Sequence, residues 1–342
     1  MSAPFNILLT CAGRRNYLVA WFEKALAGGG EVLVADSSEH APSMIEARGK
    51  GFLLPPVSAP DYFDRVLDLC RGRGVRMLVS LNDFELPGLA RQAARFRDAG
   101  VTAVVSDPEV VDLCFDKWRT FERLRALGVP VPKTCLGLAS AREALRAGRL
   151  RFPLIVKPRW GTASVGVELV ADEADLEAAY AWTARKIGGL GVGRVGGAGP
   201  DEKIIVQQAL QGQEYGLDII NDLTGEHRAV IVKRKLSMRA GETDRAVVEP
   251  HAGLSALAAT VARALRPRGL MDADAFVTPD GPVILELNPR FGGGYPFSHA
   301  GGADVPAALL AWARGEEARP EWLTAKPGTL SAKCDRLVTA IL

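Results

Sequence analysis

The residues with the clearest potential for chemistry lie near the end of the chain, where two carboxylates and an amide fall on neighbouring strand-like segments. Glu286 and Asn288 share one face of an apolar strand, and Asp274 approaches them from the segment before the turn at 279–281. Such oxygen ligands suit Mg²⁺, with Mn²⁺ as an alternative. Arg290 follows, and its fixed charge can reach a phosphate. The simpler interpretation is that these polar residues lie on a solvated face of the hairpin, but they interrupt an otherwise apolar strand.

A lysine and a run of small residues form the second pattern. Lys157 closes a short apolar segment, and Pro158 ends that segment behind it. The loop that follows contains the small residues Gly161, Thr162, Ala163, Ser164 and Gly166. Small residues let backbone N–H groups approach phosphate oxygens closely. The P-loop pattern GxxxxGK[ST] is absent. The loop alone fits a structural turn equally well, and Lys157 favours a nucleotide-phosphate site.

The third pattern is an extended segment that breaks at Gly212 and resumes at Glu214. It reads VQQALQGQEY and includes Gln207, Gln208, Ala209 and Leu210. A carboxylate at Glu214 can accept two hydrogen bonds from ribose hydroxyls. An ordinary surface glutamate after a turn explains this segment equally well.

Candidate substrate residues surround these patterns. In the basic run 233–235, strand alternation puts Lys235 on one face and Arg234 on the other. A solvated face is the usual interpretation of such a run; the alternative is that one of the two pairs with a substrate carboxylate or a phosphate. Other candidates are Asp83 and Glu85, which can bind an ammonium or simply begin a helix, and Arg239, Gly293, Gly294, Tyr295, Ser298 and His299.

The elements that must position these residues fall into three predicted regions, 1–115, 116–206 and 207–342. In the first, buried strand-like segments at 7–10, 31–36, 75–81 and 101–106 alternate with helical ones. This alternation predicts a parallel sheet covered on both faces, whose ligands gather at the carboxyl ends of the strands. The middle region predicts a small lid with the glycine-containing loop, and the last region is rich in strands.

The whole-chain composition narrows the classes of function. The 342 residues carry 42 basic and 40 acidic side chains, which argues against a nucleic-acid partner. Five cysteines are scattered without a CxxC pair, which favours reduced thiols and a cytoplasmic location. Neither a signal peptide nor a membrane-spanning run is expected. The general frequency of symmetric assemblies favours a homodimer.

Taken together, the segments IVKP, GTASVGV, VQQALQGQEY and LELNPRFGGGYP resemble, in that order, the ATP-grasp superfamily. The resemblance is to the carbamoyl phosphate synthase large chain and related amino-acid ligases, and it covers essentially the whole chain. It implies an α/β ATP-grasp fold with a Rossmann-like pre-ATP-grasp domain, a small lid subdomain and a C-terminal α+β subdomain. The segment LLTCAGRRNYL is similar to the start of the pre-ATP-grasp domain.

The resemblance also implies roles for individual residues. Lys117 and Lys157 would bind the phosphates of ATP, and the loop 161–166 would close over them. Residues 207–210 would border the adenine, and Glu214 would hold the ribose. The implied Mg²⁺ ligands are Asp274, Glu286 and Asn288, and Arg290 would contact the transferring phosphoryl group. Two departures are Gln208, where many relatives carry glutamate, and Asp274, where some carry glutamine or glutamate.

The implied activity is that of an ATP-dependent carboxylate–amine ligase that forms an acyl phosphate and then an amide or peptide bond, releasing ADP and phosphate. Its partners would be small-molecule carboxylates and amines. The chain is too short for both synthetase halves of carbamoyl phosphate synthase. The alternatives are an ATP-grasp kinase, a carboxylase-type enzyme or a non-catalytic nucleotide-binding protein.

Overall fold

The computed structural model describes residues 3–47, 49–161, 165–189 and 199–340, and within them the chain forms three sheets. The first sheet is parallel, with the order β3-β2-β1-β4-β5. Its strands are β1 (Asn6–Thr10), β2 (Val32–Asp36), β3 (Gly51–Leu53), β4 (Val75–Ser80) and β5 (Thr102–Val104). Its helices are α1 (Asn16–Leu26), α2 (Pro42–Glu46), α3 (Tyr62–Gly72), α4 (Leu86–Asp98) and α5 (Pro108–Phe115). The predicted parallel sheet is confirmed, and β3 was missed because three residues carry no periodicity.

The second, smaller sheet is antiparallel, with the order β6-β9-β7-β8. Its elements are α6 (Lys117–Ala126), β6 (Thr134–Leu136), α7 (Gly137–Arg146), β7 (Leu154–Pro158), β8 (Glu168–Val170), α8 (Glu173–Gly189) and β9 (Ile204–Gln208). Asp116 begins α6 by accepting hydrogen bonds from the backbone N–H groups of Trp118 and Arg119. Strand β9 runs across the boundary predicted at 206, because its last residues still pair with β7.

The third sheet is antiparallel, with the order β14-β13-β10-β11-β12-β15. Its strands are β10 (Gln213–Asn221), β11 (His227–Arg239), β12 (Glu242–Val248), β13 (Gly269–Thr278), β14 (Gly281–Asn288) and β15 (Leu330–Ala332). The accompanying helices are α9 (Ala252–Leu265), α10 (Tyr295–Ala300) and α11 (Val305–Ala313). The predicted hairpin of β13 and β14 forms, and β12 pairs with β11 to make a second hairpin, which β10 separates from the first.

The hydrophobic cores show how the sheets are joined. One core combines the parallel sheet with the large sheet: Leu9 and Phe22 share it with Leu270 and Leu309, all fully or almost fully buried. Each such side chain contributes roughly 1.5–3 kcal/mol by leaving water. The small sheet has a core of its own with α7 and α8, around Val156, and in the described part of the chain this core includes no residue of the other two sheets. Along the described ranges, no helix is both long and apolar enough to cross a membrane.

Candidate active site

A cavity of about 320 Å³ opens between the small sheet and the large sheet, a size typical of small-ligand sites. Strands β7 and β9 supply one wall, and β10, β13 and β14 supply the other. The lining residues already identified from the sequence are Lys117, Lys157, Gly161, Gln207, Gln208, Ala209, Leu210, Glu214, Asp274 and Glu286. Ile155, Phe276 and Leu285 add apolar surface. The cavity therefore combines an apolar region with a cluster of charges.

Two lysines bring positive charge to the cavity from different elements. Lys157 lies on β7 and is almost fully buried; its ammonium donates a hydrogen bond of 2.8 Å to the side-chain oxygen of Gln207. Burial, with a smaller contribution from the charge of Lys117, lowers the pKa of Lys157 to about 8 against the opposing effect of Glu286. Lys117, the first residue of α6, donates to the backbone oxygen of Gly161 at 2.6 Å and lies 3.0 Å from Glu286.

The two predicted metal carboxylates face each other. Asp274 on β13 is directly opposite Glu286 on β14 in the sheet register. Burial alone would raise the pKa of Glu286, but the charges of Lys117 and Lys157 outweigh it and lower that pKa. The carboxylate is therefore ionised and ready to bind a cation. Among the described residues there is no cluster of three or more histidine, cysteine or acidic side chains arranged around a metal position.

The oxygen-donor set nevertheless fits Mg²⁺, which commonly takes one or two carboxylates together with phosphate oxygens and water. Asn288 extends the set along β14, and the residue opposite it on β13 is Asp272. Asp272 was missed by the sequence analysis, although its alternation with Asp274 was visible. Burial, followed by the charge of Asp274, raises the pKa of Asp272 to about 7. Gly292 packs directly against its carboxyl group.

Lys235 connects the predicted ribose and metal residues. Its ammonium lies 2.7 Å from an Oε1 of Glu214 and 2.5 Å from an Oδ1 of Asp274. These two carboxylates raise the pKa of Lys235 above its ordinary value although burial opposes them. Lys235 is therefore a permanent positive charge beside the cavity. From the sequence, it was predicted only as a candidate for binding substrate.

Arg290 makes a bidentate contact with Asp83, which lies beyond the end of β4 in the parallel sheet. The distances are 2.6 Å from Nε to Oδ1 and 2.6 Å from Nη2 to Oδ2. Burial would lower the pKa of Arg290, but the Asp83 carboxylate outweighs it and raises that pKa. This pair joins the carboxyl end of the first sheet to the end of the third sheet that carries the predicted metal ligands.

Two family models match parts of the chain. The model described as "PylC-like, N-terminal domain" matches residues 7–104, and the model described as "ATP-grasp in the biosynthetic pathway with Ter operon" matches residues 200–332. The C-terminal region thus has the sequence of an ATP-grasp domain. Carbamoyl phosphate synthase large chain of Kineococcus radiotolerans is 27% identical over 247 residues, which are 68% of this chain and 21% of that protein. The chain therefore spans about a fifth of the length of this curated relative.

Solved structures with the same ATP-grasp fold have low sequence identity to this chain. The biotin carboxylase domain of the Hydrogenobacter thermophilus 2-oxoglutarate carboxylase, solved with MgADP, ADP and bicarbonate, is 17% identical with a TM-score of 0.74, over 95% of this chain and 73% of that one. N5-carboxyaminoimidazole ribonucleotide synthetase from Thermus thermophilus is 17% identical with a TM-score of 0.67, over 95% and 81%. At this identity the likeness shows the fold alone.

Within this ATP-grasp fold, the backbone limits how residues 207–210 can border an adenine ring. The N–H groups of Gln208 and Ala209 already donate to the backbone oxygens of Lys133 and Pro153. The side chain of Gln207 accepts from Lys157 and donates to Thr134, so it is also engaged. The residue at this edge whose N–H stays without a partner in the described structure is Leu210, which lines the cavity.

Several predicted substrate residues are instead engaged by other residues of the fold. Glu85 is fully buried and accepts hydrogen bonds from the hydroxyls of Thr10, Ser80 and Tyr62. Arg234, a candidate for pairing with a substrate carboxylate or a phosphate, lies 2.7 Å from Glu249 and is not among the residues that line the cavity. We correct both assignments: strand alternation turns Arg234 to the face opposite Lys235, and Glu85 lies at the centre of a closed hydroxyl cluster.

The residues beyond the glycine run are likewise structural. Tyr295 is fully buried, accepts from the N–H of Val305 and donates to the oxygen of Ala303. Ser298 is fully buried and donates to Asp218, which also pairs with the buried Lys233. The ring of His299 stacks on Trp21 of α1 at 3.8 Å. We therefore do not retain Tyr295, Ser298 and His299 as substrate residues.

The remaining candidates lie at the rim of the site. Arg239 pairs with Asp335 and Asp244 at the surface and is half exposed. Gly293 lies beside the carboxylate of Glu242, and Gly294 lies beside Lys233 and Asp272. Gly294 thus borders the Asp272 side of the predicted metal carboxylates. Thr162 and Ser164 of the predicted phosphate loop lie outside the described residues.

Proposed function

We propose that this protein is an ATP-dependent carboxylate–amine ligase that works through an acyl phosphate. The observation that carries the proposal is the convergence, in one cavity, of Lys117 and Lys157 with the facing carboxylates of Asp274 and Glu286. A nucleotide-binding module without chemistry needs no paired carboxylates at the phosphate end of its cavity. The family models support the assignment because they match both the first domain and the strands that carry these carboxylates.

Different residues would contact the adenine, the ribose and the phosphates of the nucleotide. The N–H of Leu210 is available to the adenine edge, and Ile155 and Phe276 provide apolar surface for the ring. Glu214 would accept hydrogen bonds from the ribose hydroxyls, with Lys235 holding its carboxylate in place. Lys117 and Lys157 would neutralise phosphate charge, which is the main requirement of phosphoryl transfer.

Asp274, Glu286 and Asn288 would hold Mg²⁺, which when bound neutralises charge on the β- and γ-phosphates. The substrate carboxylate attacks the γ-phosphorus, the bond to the bridging oxygen breaks, and ADP leaves. Arg290 is placed beside these ligands to stabilise negative charge on the transferred phosphoryl group. An amine nitrogen then attacks the acyl carbon, and phosphate departs with the former carboxylate oxygen. The proposed substrates are small acids and amines, and the proposed setting is the cytoplasm, supported by five free cysteines.

The test is a screen of amino acids and small carboxylic acids, in pairs, for phosphate release with Mg-ATP and for amide products by mass spectrometry. An acid labelled with ¹⁸O must transfer one labelled oxygen to the released phosphate. Lys157→Met and Glu286→Gln are expected to lower this turnover by at least 10²-fold while thermal unfolding remains cooperative. Lys186→Met, which removes a lysine of α8 whose partner is the exposed Glu168, serves as a control. Near-normal turnover in both site variants would contradict the assignment.

A carboxylase is the second candidate, because the structural relatives include a biotin carboxylase domain solved with bicarbonate. In that case the acyl phosphate would be carboxy phosphate, formed from bicarbonate, and the amine would become a carbamate. Radiolabelled bicarbonate distinguishes the two activities. Incorporation of the label without any requirement for an organic acid would favour the carboxylase and count against the ligase.

A further inference from the structure

The contact between Asp83 and Arg290 links two parts of the chain that are 207 residues apart. Asp83 lies beyond β4 in the parallel sheet, and Arg290 lies beyond β14 in the large sheet. Each side chain is only 11% exposed. A bidentate pair of this geometry fixes both the position and the plane of a guanidinium, unlike a single ion pair on the surface.

The hydrogen bonds of the Arg290 guanidinium show which of its N–H groups the contact with Asp83 leaves without a partner. An arginine has five N–H groups. Two donate to Asp83, and one on Nη1 donates to the backbone oxygen of Phe291 at 3.0 Å. One N–H on each terminal nitrogen then has no partner within the described part of the chain. Two N–H groups at the end of a planar guanidinium form a fork that matches two oxygens of a phosphoryl group.

The surrounding charges give Asp83 a second effect. Asp272 and Glu286 also attract Arg290, and both lie on the strands that carry the metal ligands. Without Asp83, the strongest attraction on the guanidinium would come from these carboxylates. Arg290 would then compete for the oxygens that a cation needs. The bidentate contact holds the guanidinium beside the metal carboxylates and separate from them.

We propose that Asp83 is a positioning residue for phosphoryl transfer: it fixes Arg290 so that its free N–H pair receives the γ-phosphoryl group. This inference rests on the proposed function, because it assumes that Mg-ATP occupies the cavity. It also makes the first domain necessary for the chemistry, since that domain supplies the only described carboxylate that contacts Arg290 within salt-bridge distance.

The experiment compares the affinities of Mg-ADP and of Mg-AMPPNP, a non-hydrolysable ATP analogue, by isothermal titration calorimetry on the full chain. The gain in affinity due to the γ-phosphoryl group is expected to fall about tenfold in Asp83→Asn, with the affinity for Mg-ADP changed less than about twofold. Asp107→Asn is the matched control, because it breaks another pair between the same two parts of the chain, Asp107 with Arg268 at 2.8 Å. That variant should keep the wild-type gain.

A double variant separates positioning from a structural role. Lysine at position 290 has no fork to orient, so Asp83→Asn should add less than a twofold further loss in the Arg290→Lys background. A purely structural Asp83 would lower the unfolding temperature but leave the γ-phosphoryl gain intact, which would overturn the positioning role alone. If the wild-type chain binds neither nucleotide, both this inference and the proposed function are overturned.

Discussion

At the scale of single residues, charge balance decides how the cavity works. Lys117, Lys157 and Lys235 face Glu214, Asp274 and Glu286, so that no carboxylate of the cavity lacks a nearby cation. A cation and phosphate groups can replace these contacts pair by pair without leaving a buried charge alone. The sequence identified most of these side chains by type and spacing. It did not show that Lys235 connects two of the carboxylates, because that contact depends on three different strands.

Lys157 supplies the pH-dependent prediction. Because burial lowers its pKa to about 8, the lysine of the free protein loses its proton as the pH rises through that value. Phosphate binding requires the protonated form, so the affinity for Mg-ATP should be highest below about pH 8. Above it the affinity should fall by up to about tenfold per pH unit. Calorimetric titrations between pH 6.5 and about 10 measure this directly.

Lys157→Arg is the control for this prediction, because arginine stays protonated throughout that range. Its affinity for Mg-ATP, even if weaker than that of the wild type, should be constant up to about pH 10. A wild-type affinity that does not change above pH 8 would mean that Lys157 does not contact the phosphates.

At the scale of elements, the hairpin of β13 and β14 and the glycine run behind it determine the geometry of the metal carboxylates. A methyl group on Gly292 would meet the carboxyl carbon of Asp272 at 2.0 Å and its oxygens at 2.2 and 2.4 Å. The close approach of this backbone is therefore part of the site and not a feature of a flexible loop. The next two glycines, Gly293 and Gly294, were predicted from the sequence as candidate substrate residues. The structure shows that Gly292 leaves room for Asp272.

Gly292→Ala is accordingly expected to destabilise the protein by about 1–3 kcal/mol and to lower turnover, because either the loop or the Asp272 carboxyl group must move. The matched control is Gly293→Ala, whose added methyl group would meet only the flexible end of Glu242 at 3.2 Å. Urea unfolding and the ligase assay measure the two effects. Equal stability of both variants would show that the Gly292 contact relaxes without cost.

At the scale of the whole molecule, the hydrophobic cores show how the chain is divided, in addition to the domain boundaries predicted from the sequence. The parallel sheet and the large sheet share one core, whereas the small sheet has a separate one. The cavity proposed to bind the nucleotide lies at the junction between these two bodies. Because its core is separate, the small sheet can open at a lower free-energy cost than the rest of the molecule.

Hydrogen exchange tests this division. Without nucleotide, the backbone amides of β7 and β9 should exchange at least about tenfold faster than those of β1 and β10, and saturating Mg-ADP should slow them selectively. The strand β4, which supplies no residue of the cavity lining, serves as the internal control. Uniform protection of all three sheets before and after the addition of nucleotide would indicate a single cooperative unit.

The sequence by itself determined the elements and the chemical types of the site. Alternation along β14 placed Glu286 and Asn288 on one face, and a buried strand ending in Lys157 indicated a phosphate site; both follow from periodicities that act over a few residues. Tertiary structure alone decided which polar residues reach the cavity. Arg234, Glu85, Ser298, Tyr295 and His299 have types suited to binding, yet each is engaged by a group outside its own element. The contact of Asp83 with Arg290 was likewise undetectable, because 207 residues separate the pair and only the packing of two sheets on one core brings them together.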